Sequence, residues 1–145
     1  RHLSTTAKIA DGFEYKHDAV AYNYRLPNLN AALGCAQLQN IDSLLKSKRI
    51  LAERYKEFLK NSPLEFFNEP RGASSNYWLN AVICNDRKTR DSLLNITNSL
   101  GVKTRPVWTL MSHLEMFKKY DKGDLKVATW LEDRVVNLPS SPIEL

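Results

Sequence analysis

Between Leu29 and Lys60 the chain runs without a proline, and only Gly34 weakens an otherwise persistent helical pattern. That stretch is long for a globular helix, roughly 45–50 Å at a rise of 1.5 Å per residue. Ile41, Leu44, Leu51, Tyr55 and Phe58 fall at helical steps and form one apolar stripe, interrupted by Lys48. One continuous helix, or two in succession with a bend between Gln37 and Ser43, satisfies the pattern equally. Leu26-Pro27-Asn28 reads as the start, since Asn is a strong N-cap and Pro is tolerated in a first turn; Asn61-Ser62-Pro63 ends it. Ala31 to Ala36 is rich in small residues, which suits close approach by another backbone in a larger body or at a subunit interface. Lys46, Lys48, Arg49, Arg54, Lys56 and Lys60 alternate with Glu53 and Glu57, the pattern of a solvated helix face.

Downstream, Leu64–Phe67 is a short strand, and Asn76–Cys84, apolar at most positions, is predicted as a central strand. Asn85-Asp86 caps a helix from Arg87 to Leu100, with Leu93, Leu94, Thr97 and Leu100 inward and Gly101 as its left-handed end. Val102–Trp108 is extended and broken by Pro106; helices at Leu114–Tyr120 and Leu125–Arg134 and a strand at Val135–Leu138 follow. The order describes a small α+β domain carried on a long helix. Residues 1–26 lack periodicity; Gly12 signals a turn, and Phe13, Tyr15, Tyr22 and Tyr24 form an aromatic cluster suited to a site or interface. At 145 residues the chain is one domain, or a domain plus a segment of something larger, and its opening Arg1-His2-Leu3 reads as a piece.

Several function classes are excluded by composition and motif. No apolar run approaches ~18 residues, so no membrane span is expected. Cys35 and Cys84 sit in apolar stretches without Cys-x-x-Cys spacing, as buried, reduced thiols of a cytoplasmic protein do. The net charge of +5 is dispersed; Asp121 and Asp124 separate Lys118, Lys119, Lys122 and Lys126, which argues against nucleic acid. His2, His17 and His113 lie far apart, so no metal site is expected, and no glycine-rich nucleotide cradle occurs. Asn23, Arg25 and the helix start at Asn28 combine an amide donor, a guanidinium and a positive dipole end, a set that suits a phosphate. The plain alternative is that Arg25 pairs with a carboxylate, Asn23 makes a turn and the tyrosines pack. His113 reads equally as a core-edge histidine or a substrate contact, and Trp78, Trp108 and Trp130 read as packing.

The run from Tyr22 through Asn23-Tyr24-Arg25-Leu26-Pro27-Asn28-Leu29-Asn30-Ala31-Ala32-Leu33-Gly34, followed by Gln37-Leu38, closely resembles the Asn-Tyr-Arg signature of the DegT/DnrJ/EryC1/StrS sugar aminotransferases. His17, Arg54-Tyr55, Gly101-Val102, Arg105-Pro106, His113 and Leu138-Pro139-Ser140-Ser141-Pro142 extend the likeness in order along the chain. Its wording is most similar to enzymes that aminate C4 of nucleotide-linked keto-sugars, of the perosamine or legionaminate kind. The resemblance implies the C-terminal domain of a fold-type I, pyridoxal 5′-phosphate-dependent aminotransferase, with residues 1–40 belonging to the large domain and dimer interface and 41–145 forming the small α+β domain. It implies a cytoplasmic homodimer that takes an amino group from glutamate and gives it to a nucleotide-linked keto-sugar in polysaccharide biosynthesis. Asn23 would reach the cofactor phosphate of the neighbouring subunit, Arg25 would lie near the sugar nucleotide's phosphates, and Tyr22 and His113 would face substrate. The family's Schiff-base lysine stands in a Ser-x-x-x-Lys context ahead of a Gly-Glu-Gly-Gly-like turn. Lys8 lacks those neighbours, so no catalytic lysine is expected within the chain, and the piece alone is expected to be inactive and to self-associate.

Overall fold

The computed structural model describes residues 1–11 and 14–143, which fall into two compact units, 1–41 and 42–145. The Gly12 turn signal and Phe13 of the aromatic cluster lie outside the described residues.

In the first unit the stretch without periodicity contains a hairpin. Strand β1 (Lys8–Asp11) pairs antiparallel with β2 (Glu14–His17), Lys8 opposite His17 and Asp11 opposite Glu14. Four-residue strands are too short for a period of two to stand out in sequence. Ahead of it, Thr6 and Ala7 adopt left-handed backbone conformations (φ 66° and 49°), costing about 1–2 kcal/mol each. The turn is held by Ala7 N–H to the His2 carbonyl (3.0 Å) and Thr6 N–H to the Tyr22 carbonyl (2.9 Å). Helix α1 (Asn28–Gln39) begins one residue earlier than an Asn28 N-cap would require. Pro27 occupies the cap position (φ −62°, ψ 149°) with no side-chain hydrogen bond, and Asn28 is the first helical residue.

The two-helix alternative is the one observed. Asn40 (φ −106°, ψ 4°) turns its N–H onto Gln37 and Leu38, and its side-chain amide donates to the Ala36 carbonyl at 3.0 Å. Helix α2 (Ile41–Leu59) then begins.

In the second unit a four-stranded antiparallel sheet has the order β3 (Glu65–Phe66), β4 (Asn80–Ile83), β6 (Val135–Leu138), β5 (Arg105–Pro106). Strand β4 is interior as expected, and Pro106 sits on an edge strand, where a missing N–H costs little. Pairing of β4 starts only at Asn80, not Asn76. Tyr77 is left-handed (φ 46°), and Ser75 Oγ and Asn76 Oδ1 capture the N–H groups of Tyr77 and Trp78 at 3.0 and 2.9 Å, turning the chain before it can join the sheet.

The core gathers Ala52 and Leu59 of α2 with Phe66, Tyr77, Val82, Cys84 and Val136. The buried face of α2 runs through Ser47, Ala52 and Leu59, so the expected stripe is rotated: Phe58 is 83% exposed and Ile41 is exposed. Polar residues supply the reason. Ser47 Oγ donates to the Ile143 carbonyl and accepts from its N–H, both at 2.7 Å, and Tyr55 donates to the Pro139 carbonyl at 3.0 Å. Lys48 donates to the carbonyls of Trp78 and Ser140, and burial pushes its pKa down. The residue that interrupts the apolar stripe is thus part of the buried face, gripping the segment after β6. Arg49 also departs from the solvated-face reading: it donates to Ser74 Oγ (2.7 Å) and the Ser75 carbonyl (2.6 Å) and lies over the Tyr77 ring.

Helix α3 (Arg87–Ser99) has the expected cap, Asp86 accepting from Thr89 N–H at 2.7 Å; Gly101 is left-handed (φ 81°), while Leu100 ends the helix 76% exposed. The expected helix over Leu114–Tyr120 is instead two 3₁₀ turns, Met111–His113 and Glu115–Phe117, because Leu114 between them is extended (ψ 135°). Helix α4 (Lys126–Glu132) precedes β6.

The Thr89 N–H holds the Asp86 carboxyl below its ordinary pKa. Its contribution to stability is therefore complete above the unfolded carboxylate value of about 3.9 and disappears as pH falls through the lower folded value. Asp86→Ala is expected to lower the melting temperature at about pH 7, and the gap to the parent protein should narrow as the pH is brought down to about 2. A difference of equal size at both pH values would contradict the assignment of the cap.

Candidate anion and substrate site

Extended backbone alternates its side chains, and the 22–25 segment thereby presents two different sets of groups. It is pinned to the N-terminal turn by Tyr22 N–H to the Leu3 carbonyl (2.9 Å), Tyr24 N–H to the Ser4 carbonyl (3.0 Å) and an antiparallel bridge between Thr5 and Asn23. Tyr22 and Tyr24, two residues apart, stack with ring centroids 5.0 Å apart and an interplanar angle of 8°. Asn23 and Arg25, on the alternate positions, line a concavity of about 440 Å³ with Leu26, Pro27 and Asn28. Both side chains are exposed, and neither has a hydrogen-bond or ion-pair partner among the described residues. The first turn of α1 carries no acidic residue and no side-chain cap, so its N–H groups are open to a ligand at the positive end of the helix. His17 Nδ1 donates to the Thr6 carbonyl at 2.6 Å, and His2 Nε2 meets Asp18 Oδ1 at 2.6 Å, tying the last residue of β2 and the one after it to the N-terminal turn.

His113 belongs to the second unit and is surrounded differently. Its Nδ1 lies 2.9 Å from Glu132 Oε2, while Glu132 Oε1 accepts from Leu110 N–H at 2.8 Å. The structure thus groups Tyr22, Asn23 and Arg25 on one extended segment and places His113 beside Glu132, a residue that no spacing rule in the sequence connects to it. Trp78 and Trp108 are not packing residues within the unit: they are 68% and 67% exposed and stack on each other with centroids 6.3 Å apart. Trp130 is exposed as well, with the Arg134 guanidinium 4.8 Å from its ring centroid. Of the cysteines, Cys84 is buried as expected, and burial pushes its thiol pKa up, but Cys35 is exposed; both are free. Cys35 lies on α1, in which no residue is buried within this chain. Among the described residues no group of three metal-ligating side chains occurs, and no helix is long and apolar enough to cross a membrane.

The mixed α/β architecture coincides with one part of the sugar aminotransferases. The aminotransferase TlmJ from Streptoalloteichus hindustanus superposes with a TM-score of 0.79 at 22% identity, over 97% of this chain and 38% of that one. The pyridoxal phosphate form of the putative sugar aminotransferase Spr1654 from Streptococcus pneumoniae gives a TM-score of 0.74 at 17% identity, over 97% and 37%. At these identities the likeness establishes the fold. The DegT/DnrJ/EryC1/StrS aminotransferase family model matches residues 3–143, and the chain belongs to that family. GDP-perosamine synthase of Vibrio cholerae is 34% identical over 137 residues, covering 92% of this chain and 37% of its own, so the chain spans little more than a third of that relative's length.

Proposed function

We propose that this chain is the C-terminal part of a cytoplasmic, homodimeric, pyridoxal phosphate-dependent aminotransferase that passes an amino group from glutamate to a nucleotide-linked keto-sugar. The observation that carries the reading is the open Asn23–Arg25 corner at the start of α1, within a family match over almost the whole chain. The nucleotide is guanosine diphosphate, in keeping with the name of the Vibrio relative. Residues 1–40 act with the large domain and dimer interface, and residues 41–145 form the small domain.

The donor set suits a phosphate. Asn23 contributes a side-chain N–H, Arg25 a planar pair of donors and α1 its first-turn amides, with no carboxylate among the described lining residues to compete. Asn23 holds the cofactor phosphate of the neighbouring subunit, Arg25 the phosphates of the sugar nucleotide, and Tyr22 and His113 border the substrate. Pyridoxal phosphate, when bound, supplies the electron sink for amino transfer. The lysine that anchors it lies upstream of this chain.

Titrating the 145-residue chain with the cofactor tests the division of labour. No visible band at about 410–430 nm should develop with the chain alone, whereas the full-length protein should show one that glutamate removes. A band with the chain alone that Lys8→Ala abolishes would overturn the placement of the lysine. An upstream reading frame without a lysine-bearing α/β domain would instead favour a binding or assembly module descended from the enzyme.

A further inference from the structure

The approach to strand β4 breaks the rule that the strand itself obeys. Side chains alternate along extended backbone, so a regular continuation would place Trp78 on the side of Asn80 and Val82, both buried. The chain instead inverts at Tyr77, whose φ of 46° is a left-handed value rare for a bulky residue. Tyr77 turns into the core, and Trp78 turns out into solvent. A strained residue persists only where its surroundings hold it, and here they do so from several directions. Ser75 Oγ and Asn76 Oδ1 accept from the N–H groups of Tyr77 and Trp78 at 3.0 and 2.9 Å, and Lys48 Nζ donates to the Trp78 carbonyl at 3.2 Å. Glu69 Oε2 accepts from Ser75 N–H at 2.6 Å, and Arg49 donates to the Ser75 carbonyl at 2.6 Å.

This frame presents one indole stacked on another. Trp108 has its ring centroid 6.3 Å from that of Trp78, and the backbone on either side of it is fixed: Val107 N–H donates to the Val135 carbonyl (3.2 Å) and Leu110 N–H to Glu132 Oε1 (2.8 Å). The fold thus holds in water an indole that regular strand geometry would bury. Two exposed tryptophans fixed in this way mark a surface built to be covered.

Area decides what can cover it. At 68% and 67% exposure the two indoles offer on the order of 300 Å². A stable contact between separate molecules takes about 800 Å² from each partner. A tethered partner needs far less, because the tether supplies an effective concentration of about millimolar. The chain spans 37% of the length of the Vibrio relative, so more than three-fifths of a polypeptide of that kind lies outside it. We propose that the Trp78–Trp108 pair is the seat for a segment of the same polypeptide upstream of Arg1, and that Lys48, Arg49 and Glu69 set the turn that presents it. The proposal rests on the reading of the chain as the C-terminal part of a longer enzyme and adds where the upstream part makes contact.

The test uses the full-length protein labelled with 5-fluorotryptophan, its fluorine resonances assigned through Trp78→Phe, Trp108→Phe and Trp130→Phe. The resonances of Trp78 and Trp108 should barely move on transfer from H2O to D2O, as for buried indoles, while that of the exposed Trp130 should move clearly. With the photoreactive p-benzoylphenylalanine in place of Trp108, illumination should link position 108 to a peptide upstream of Arg1. A mixture of nitrogen-14 and nitrogen-15 protein should show that link within one polypeptide. Trp78→Glu in that background should abolish the link, because a carboxylate resists burial, and Trp78→Phe should retain it. Trp78 and Trp108 as responsive to D2O as Trp130, the absence of a link, a link confined to residues 1–145 or a link between two polypeptides would each overturn the proposal. If the same protein still shows the visible band that glutamate removes, the aminotransferase reading stands without it. A full-length protein with neither the band nor the shielding would overturn both.

Discussion

Arg25→Ala in the full-length protein is expected to lower kcat/KM for the proposed nucleotide-linked keto-sugar by roughly 10- to 150-fold, chiefly through KM, with melting temperature unchanged. The magnitude follows from a bidentate, charge-assisted contact with phosphate, worth about 1.5–3 kcal/mol. Stability should not move, because Arg25 is exposed and has no partner among the described residues, so its removal leaves nothing unpaired. Arg25→Lys should recover only part of the loss, since an ammonium restores the charge without the planar fork. Steady-state kinetics with varied sugar nucleotide and saturating glutamate decide the matter. An unchanged KM would remove Arg25 from the proposed phosphate site and leave it an ordinary surface cation.

Phe66→Ala should have the largest effect on folding. Phe66 is 5% exposed, and its ring centroid is 6.1 Å from that of Tyr77, within the cluster formed by Ala52, Leu59, Val82 and Val136. Truncating such a residue costs about 3–5 kcal/mol, against a total stability of about 5–15 kcal/mol. At several degrees per kcal/mol for a domain of this size, the melting temperature should drop by at least roughly 12 °C. Phe58→Ala is the matched control: Phe58 is 83% exposed, and its loss from the same chain should cost no more than about 0.5 kcal/mol. Urea denaturation of both variants checks the pair, and equal losses would mean that the face of α2 has been wrongly assigned.

The contrast between Phe58 and Phe66 shows where sequence patterns stop being informative. Counting apolar residues along α2 selects Phe58, because the count treats Ser47 and Lys48 as interruptions. In the folded unit those two polar residues lie on the inward side and satisfy backbone groups of Ser140 and Ile143 after β6 and of Trp78 ahead of β4. Burial of a polar group is tolerated when its hydrogen bonds are made, and those bonds come from residues more than 90 positions away in two of the contacts. The missed hairpin has a different origin. Its strands are held by pairing with each other, which short, weakly patterned segments do not announce. The late start of β4 at Asn80 was legible in principle, since Ser75 and Asn76 are turn formers whose side chains capture the next amides but one.

Local chemistry alone determined the helix run and its ends near Pro27 and Pro63, the Asp86 cap, the left-handed Gly101, the strand at 135–138 and the Asn-Tyr-Arg segment that places the chain in its family. Each depends on residues within a few positions of one another, where propensity and capping act directly. Tertiary structure decided which side of α2 is buried, the order of the strands, the outward stacking of Trp78 on Trp108 and the union of His113 with Glu132. Those outcomes depend on groups brought together from distant parts of the chain, and their energies exist only once the intervening backbone has folded.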